Sequence, residues 1–188
     1  MKNILLLISQ GVEILEVSPF IDVFGWNMIV GKKDTFLTTC SFHDIINCTW
    51  NIKILPKLNL EIYDALVIPG GFGKAGFFND MKTTEFQDII KYFHSQDKII
   101  LGVCTGVIAL GESGILKNRK ATTYLLDNDR YFRQLLNFGA IPIREEIVID
   151  GNIITSSAPK NALETAFILL EKLTSKENME KVKYNMGF

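Results

Sequence analysis

The chain alternates between short apolar runs and longer stretches in which apolar residues recur every three or four positions. Residues 3 to 8 (Asn-Ile-Leu-Leu-Leu-Ile) are a continuous apolar run, the pattern of a strand buried on both faces of a parallel sheet. After Gly11, the residues Ile14, Val17, Ile21, Phe24 and Met28 fall at helical spacing, and Pro19 is expected to kink or restart that helix. Thr35 to Cys40 has strand composition, and Trp50, Ile52 and Ile54 alternate like a short exposed strand. Ala65 to Ile68 is another buried strand, ending in the glycine-rich turn Pro69-Gly70-Gly71-Phe72-Gly73.

Thr83 or Thr84 caps a helix predicted through Ser95, with Phe86, Ile89, Ile90 and Phe93 inward. Ile99 to Val103 is the next strand, and a helix from Thr105 to about Glu112 follows at once. Lys120 to Tyr124 is a short strand, and Asn128 to Phe138 a helix closed by Gly139. Ile147 to Ile149 and Ile153 to Thr155 flank Asp150-Gly151, a hairpin signal. Asn161 to Leu173 is an apolar helix, and Ser175 caps a last, more polar one. No linker, repeat or low-complexity segment interrupts residues 1 to 188, which predicts a single domain. Strands alternating with helices predict an α/β fold: a doubly wound, mostly parallel sheet with helices on both faces and a small antiparallel hairpin. Ligands of such sheets bind beyond the carboxyl ends of the strands, where the turn at 69 to 73 and residue 104 both fall.

Composition narrows the function classes. Twenty basic against twenty-one acidic residues, a net charge of -1 and no basic block give a nucleic-acid or anionic-membrane partner no electrostatic support. The N-terminal MKNILLLIS has too short an apolar run for a signal peptide, and nothing approaches the roughly twenty apolar residues of a membrane span. Cys40, Cys48 and Cys104 form no C-x-x-C pair or His/Cys cluster, which argues against structural zinc and a disulfide framework. An odd number of thiols, with no signal peptide expected, predicts a cytoplasmic protein.

The chemistry centres on Gly102-Val103-Cys104-Thr105-Gly106, a G-x-C-x-G form of the nucleophile elbow. In that motif a strand ends in a sharp, strained turn with the nucleophile at its tip, over the start of the next helix. The flanking glycines suit a turn in which backbone crowds backbone. A thiol there is expected to have its pKa lowered by the helix terminus, which makes Cys104 the candidate nucleophile. His43 and His94 are the only histidines, both before Cys104 and both predicted on the surface. A glutaminase or a Cys-type α/β-hydrolase needs its histidine after the nucleophile, so those activities and conventional protease chemistry are disfavoured.

With the elbow, the Pro-Gly-Gly turn and the early Glu-x-x-Glu placed, the chain resembles the DJ-1/PfpI (ThiJ) superfamily, of class I glutamine amidotransferase-like, flavodoxin-like fold. The resemblance runs nearly end to end. Gly11 to Glu16 matches the family's first loop and acidic helix start, Pro69-Gly70-Gly71 its oxyanion turn, and Gly102 to Gly106 its cysteine elbow. Ala121-Thr122-Thr123 and Ile154 to Pro159 match two later segments. Cys-Thr-Gly at the elbow, the run from Ala121 to Phe138-Gly139 and the final Met186-Gly187-Phe188 are similar to the isonitrile hydratase branch. The family histidine after Ala-Thr-Thr is replaced by Tyr124.

The resemblance implies roles for particular residues. Glu16 corresponds to the acid beside the cysteine; a carboxyl near a thiolate should have its pKa raised and can then act as general acid or base. Glu13 is explained as a first-turn acid that favours the helix start. Backbone N–H groups of Gly71 and Thr105 are expected to face a developing negative charge. Gly70, Phe72 and Tyr124 are expected in the pocket, Tyr124 as an aromatic wall and poor base. No cofactor and no metal are implied. The partners implied are a small-molecule substrate and a second copy of the chain. Cys104 with Glu16 suits a hydratase-like enzyme, isonitrile hydration in particular. The alternatives are a redox-sensing, stress-protective protein oxidised at Cys104 and a glyoxalase or deglycase acting on 2-oxoaldehydes. A regulator's ligand-sensing half has the least support, since no helix-turn-helix is present.

Overall fold

The computed structural model describes residues 1–49, 53–54 and 63–188. The apolar run at the start becomes β1 (Lys2–Leu7), followed by α1 (Ile14–Val30), β2 (Thr35–Cys40), β3 (Ile46–Asn47), β4 (Lys53–Ile54) and β5 (Ala65–Ile68). Next come α2 (Phe77–Asp80), α3 (Thr84–Ser95), β6 (Ile99–Val103), α4 (Gly106–Glu112), β7 (Lys120–Ala121) and α5 (Arg130–Asn137). The chain closes with β8 (Ile141–Pro142), β9 (Ile147–Asp150), β10 (Ile153–Ser156), α6 (Ala162–Leu173) and α7 (Lys176–Asn185).

The main sheet has the order β2-β1-β5-β6-β10-β9. Every pairing is parallel except β9 with β10, the hairpin turned by Gly151. Taken along the main-sheet strands alone, β2-β1-β5-β6 is the 2-1-3-4 start of the flavodoxin-like order, in which ligands bind at the strand ends where the order reverses. Because strand side chains alternate, Ile4 and Leu6 point into one layer with α1, α6 and α7, while Leu5 and Leu7 point into the other with α3 and α4. Parallel strands covered on both faces explain why β1, β5 and β6 are almost wholly apolar.

Several expectations are corrected in detail. α1 runs unbroken through Pro19, which lies in its second turn and removes only the bond to the Leu15 carbonyl. Its buried residues are Glu16, Val17, Pro19, Phe20, Val23, Phe24 and Asn27, while Ile21 and Met28 stand partly in solvent. Apolar and polar residues occur on both sides of the helix, with Glu16 and Asn27 buried and Asp22 exposed, so spacing by itself does not choose the inward face. Of the strand expected from Trp50 to Ile54, Trp50 and Ile52 lie outside the described residues, and β4 pairs antiparallel with β3. The strand expected at Lys120 to Tyr124 is regular only over Lys120–Ala121, which pairs with β8.

One close approach locks the elbow to the sheet. A Cβ on Gly106 would lie 2.3 Å from the Ile68 carbonyl oxygen and 3.0 Å from Pro69 backbone atoms, none of which can swing aside. Gly106→Ala is therefore expected to destabilise the fold by about 3 kcal/mol, read as a lower denaturant midpoint at unchanged m-value.

Candidate active site

The site is assembled where β1, β5 and β6 end. β6 stops at Val103, and Cys104 takes φ +53, a left-handed conformation that costs a non-glycine residue about 1–2 kcal/mol. Two hydrogen bonds hold it there: the Cys104 N–H donates to the Ser156 carbonyl at 2.7 Å, and the Thr123 hydroxyl donates to the Cys104 carbonyl at 2.7 Å. This is the strained strand-to-helix turn that the G-x-C-x-G pattern predicts. Cys104 is 7% exposed.

Glu16 reaches the same place from the first turn of α1, which Glu13 caps by accepting the Leu15 N–H at 3.5 Å. Glu16 is 1% exposed, and its Oε2 accepts the Gly70 N–H at 2.5 Å. Only glycine fits at position 70, because a Cβ would lie 2.6 Å from Thr105 Oγ1 and 2.9 Å from Glu16 Oε2. Burial pushes the Glu16 carboxyl up to about 8, against the pull of the Gly70 N–H and of its hydrogen bond with Cys104, and the charge of Glu13 adds to the rise.

The thiol departs from expectation. Burial raises its pKa and an ionised Glu16 raises it further, while the Thr105 N–H and hydroxyl pull the other way. The desolvation of a nearly enclosed sulfur outweighs the partial charge at the end of the seven-residue α4. Both shifts favour the protonated forms, a carboxylic acid against a thiol.

The Gly71 N–H, expected to face developing negative charge, donates instead to Thr105 Oγ1 at 2.9 Å, and that hydroxyl donates to the Gly71 carbonyl at 2.9 Å. This reciprocal pair ties the glycine turn to the elbow and leaves the Thr105 N–H as the backbone donor directed at the sulfur.

Above the pair lies a cavity of about 340 Å³. Cys104, Glu16, Thr105, Gly71, Phe72 and Tyr124 line it, while Gly70 stands behind the wall, its N–H occupied by Glu16. Glu13, Asp127, Tyr131 and Pro159 line it as well. Tyr124 and Tyr131 meet edge to face at 6.3 Å, and Tyr131 stacks on Phe78 at 5.8 Å. Asp127, Asn128 and Asp129 all have left-handed φ, so α5 starts two residues later than its sequence pattern suggests. Asp and Asn tolerate that conformation best among residues with a Cβ. Arg144 pins the turn through Asp129, at 3.1 and 2.6 Å. The signal available for the missed residues was the spacing of Tyr124, Asp127 and Tyr131 just after a strand end facing the crevice.

No histidine is among the described lining residues. His43, expected at the surface, bonds both Asp80 carboxyl oxygens through Nε2 at 3.0 Å, and Asp80 accepts the Gln10 N–H at 2.7 Å. Among the described residues no group of three His, Cys, Asp or Glu side chains is placed to hold a metal, and no helix is long and apolar enough to cross a membrane.

A family model, that of the DJ-1/PfpI family, matches residues 2–172. The chain belongs to the DJ-1/PfpI family. Its relatives include the isonitrile hydratase of Pseudomonas putida, 28% identical over 146 residues that cover 76% of this chain and 61% of that one. Protein DJ-1 homolog A of Arabidopsis thaliana is 27% identical over 185 residues, 96% of this chain and 45% of that one. The chain thus spans less than two thirds of the length of these two relatives. The crystal structure of Drosophila melanogaster DJ-1beta superposes with a TM-score of 0.83 at 25% identity, covering 98% of this chain and 97% of that one. A ThiJ/PfpI family protein from Pseudomonas syringae gives 0.86 at 22% identity, over 100% of this chain and 75% of that one. Within this DJ-1/PfpI fold, Cys104 stands on the elbow and Glu16 at the start of the first helix.

Proposed function

We propose that this DJ-1/PfpI protein is a cysteine-dependent small-molecule enzyme that hydrates isonitriles, with Cys104 as nucleophile and Glu16 as general acid and base. The observation that carries the reading is the buried Glu16 carboxyl, held by the Gly70 N–H against the strained Cys104 turn, with no histidine among the described lining residues. The isonitrile hydratase relative supports the choice of substrate.

In this mechanism Cys104 Sγ bonds to the terminal carbon of R–NC while Glu16 delivers its proton to that carbon and takes up the thiol proton. The result is a neutral S–CH=N–R thioimidate and a carboxylic acid ready to act again. Water then adds across C=N, with one hydrogen going to nitrogen. Collapse expels the sulfur, which regains the other, and releases R–NH–CHO. The sum is R–NC plus water. Formamide release from a simple alkyl isonitrile, followed by mass spectrometry, tests the reading; no formamide above the buffer rate removes it.

A homodimer belongs to the same proposal. α1 exposes Leu15, Ile21, Trp26, Met28 and Ile29 on the face away from its core contacts, and an apolar helix face of this kind favours a covering partner. Light scattering is expected to give twice the 21.2 kDa chain mass, and Ile29→Glu to halve it. A wild-type mass of one chain removes the dimer.

A further inference from the structure

The ionisable side chains among the described residues lining the cavity are all acids. Glu13, Glu16 and Asp127 line the cavity, and none of the described lining residues is Lys, Arg or His. Tyr124 and Tyr131 contribute aromatic wall, and the Tyr131 ring already stacks on Phe78 and carries Arg130 over it. We propose that this cavity admits uncharged and cationic small molecules and turns away anionic ones, with Asp127 and Glu13 as the specificity-determining carboxyls. The inference rests on the Cys104 site being where small molecules react, and it adds the class of molecule admitted.

The field reaches the reacting pair. Glu13 raises the proton affinity of Glu16 and Asp127 that of Tyr124, while at Tyr131 Arg130 and Asp127 act in opposite directions. An anion entering the cavity would shed water beside carboxyls with no cation among the described lining residues to replace it, whereas a cation gains from the carboxyls. Three cations stand directly next to lining residues in sequence, Lys74, Arg130 and Lys160, and none of them is itself among the described lining residues. Arg130 lies over the Tyr131 ring at 5.3 Å and 3.8 Å from Asp127, an ion pair more than half exposed on both sides and therefore weak. Lys160, next to the lining residue Pro159, pairs with Glu146. The uncharged isonitriles of the proposed reaction pass this filter. Isonitriles bearing a carboxylate, and 2-oxo acids, do not.

The test uses the sulfur as a probe. Three methanethiosulfonates carrying an uncharged, a trimethylammonium or a sulfonate group react with the purified protein at equal concentration. In each case the cysteine sulfur forms an S–S bond, the S–SO₂ bond breaks, methanesulfinate leaves and the thiol proton goes to water. Peptide mass analysis isolates the rate at Cys104 from Cys40 and Cys48, and 2-mercaptoethanol supplies the intrinsic ratio. The trimethylammonium-to-sulfonate ratio at Cys104 is expected to exceed that of the free thiol by about tenfold or more. Asp127→Asn, accepted at φ +61, and Glu13→Gln should each reduce the excess by about threefold. A ratio within about twofold of the free thiol overturns the proposal, and an excess that neither variant lowers overturns the assignment to these carboxyls. Because the readout is chemical modification, a protein inert towards isonitriles would remove the proposed reaction while leaving the charge filter measured in its own right.

Discussion

Cys104→Ala is expected to lower isonitrile hydration by on the order of 10³-fold or more, about 4 kcal/mol of transition-state stabilisation, without unfolding the protein. The effect is large because the sulfur is the atom that bonds to substrate, and no other described side chain lining the cavity is a comparable nucleophile. The fold should survive because alanine bears the same left-handed strain at φ +53 that cysteine already carries, and the bonds to Ser156 and Thr123 are made by the backbone of residue 104. Cys104→Gly provides an internal control: it lacks the sulfur but also relieves the strain, and should be about 1 kcal/mol more stable than Cys104→Ala. Single-turnover and steady-state rates of formamide release, with denaturant curves for each variant, check both statements. Turnover that persists without the sulfur would end the nucleophile assignment.

Glu16→Gln is expected to change the pH dependence of both stability and activity. In the unfolded chain the carboxyl titrates near its ordinary value of 4.5; in the folded protein burial raises it to about 8. Between those limits the native state holds a proton that the unfolded state has released, so stability is fully present below 4.5 and falls as pH rises towards 8. A tenfold difference in proton affinity between the two states is worth about 1.4 kcal/mol, which makes the loss several kcal/mol over the window. Glu16→Gln cannot ionise. It should match the wild type near pH 5, lack this decline and be the more stable of the two at pH 9. Its hydration rate should fall by about 10²–10⁴-fold, since the amide neither delivers nor takes up the proton. Urea denaturation at intervals from pH 4 to 9 reads the first effect. Parallel stability curves for the two proteins would mean that Glu16 is not held in its acid form.

Much of the site could be read without coordinates because its parts are local patterns. The elbow is five consecutive residues, and Cys104 occupies the strained turn that Gly102-x-Cys-x-Gly106 predicts. The apolar runs at Ile4, Ala65 and Ile99 give three adjacent parallel strands whose ends meet in one crevice. Glu16 needed the family resemblance, since a first-turn acid is ordinary on a helix. Asp127 and Tyr131 were missed because a left-handed turn of Asp-Asn-Asp imitates the start of a helix in sequence.

By itself, then, the sequence determined the succession of the main-sheet strands and the longer helices, the elbow, the glycines that let backbones touch there, and the absence of a histidine after Cys104. These depend on neighbours a few positions apart or on composition. The tertiary structure decided which face of α1 is buried, that the Gly71 N–H bonds to Thr105, and that Asp127 and Tyr131 join the wall. It also decided the direction in which the Cys104 thiol shifts. Desolvation sums over every atom that excludes water from the sulfur, and the residues that share its cavity, Glu16, Gly71, Thr105 and Tyr124 among them, come from widely separated parts of the chain. No local pattern carries that sum.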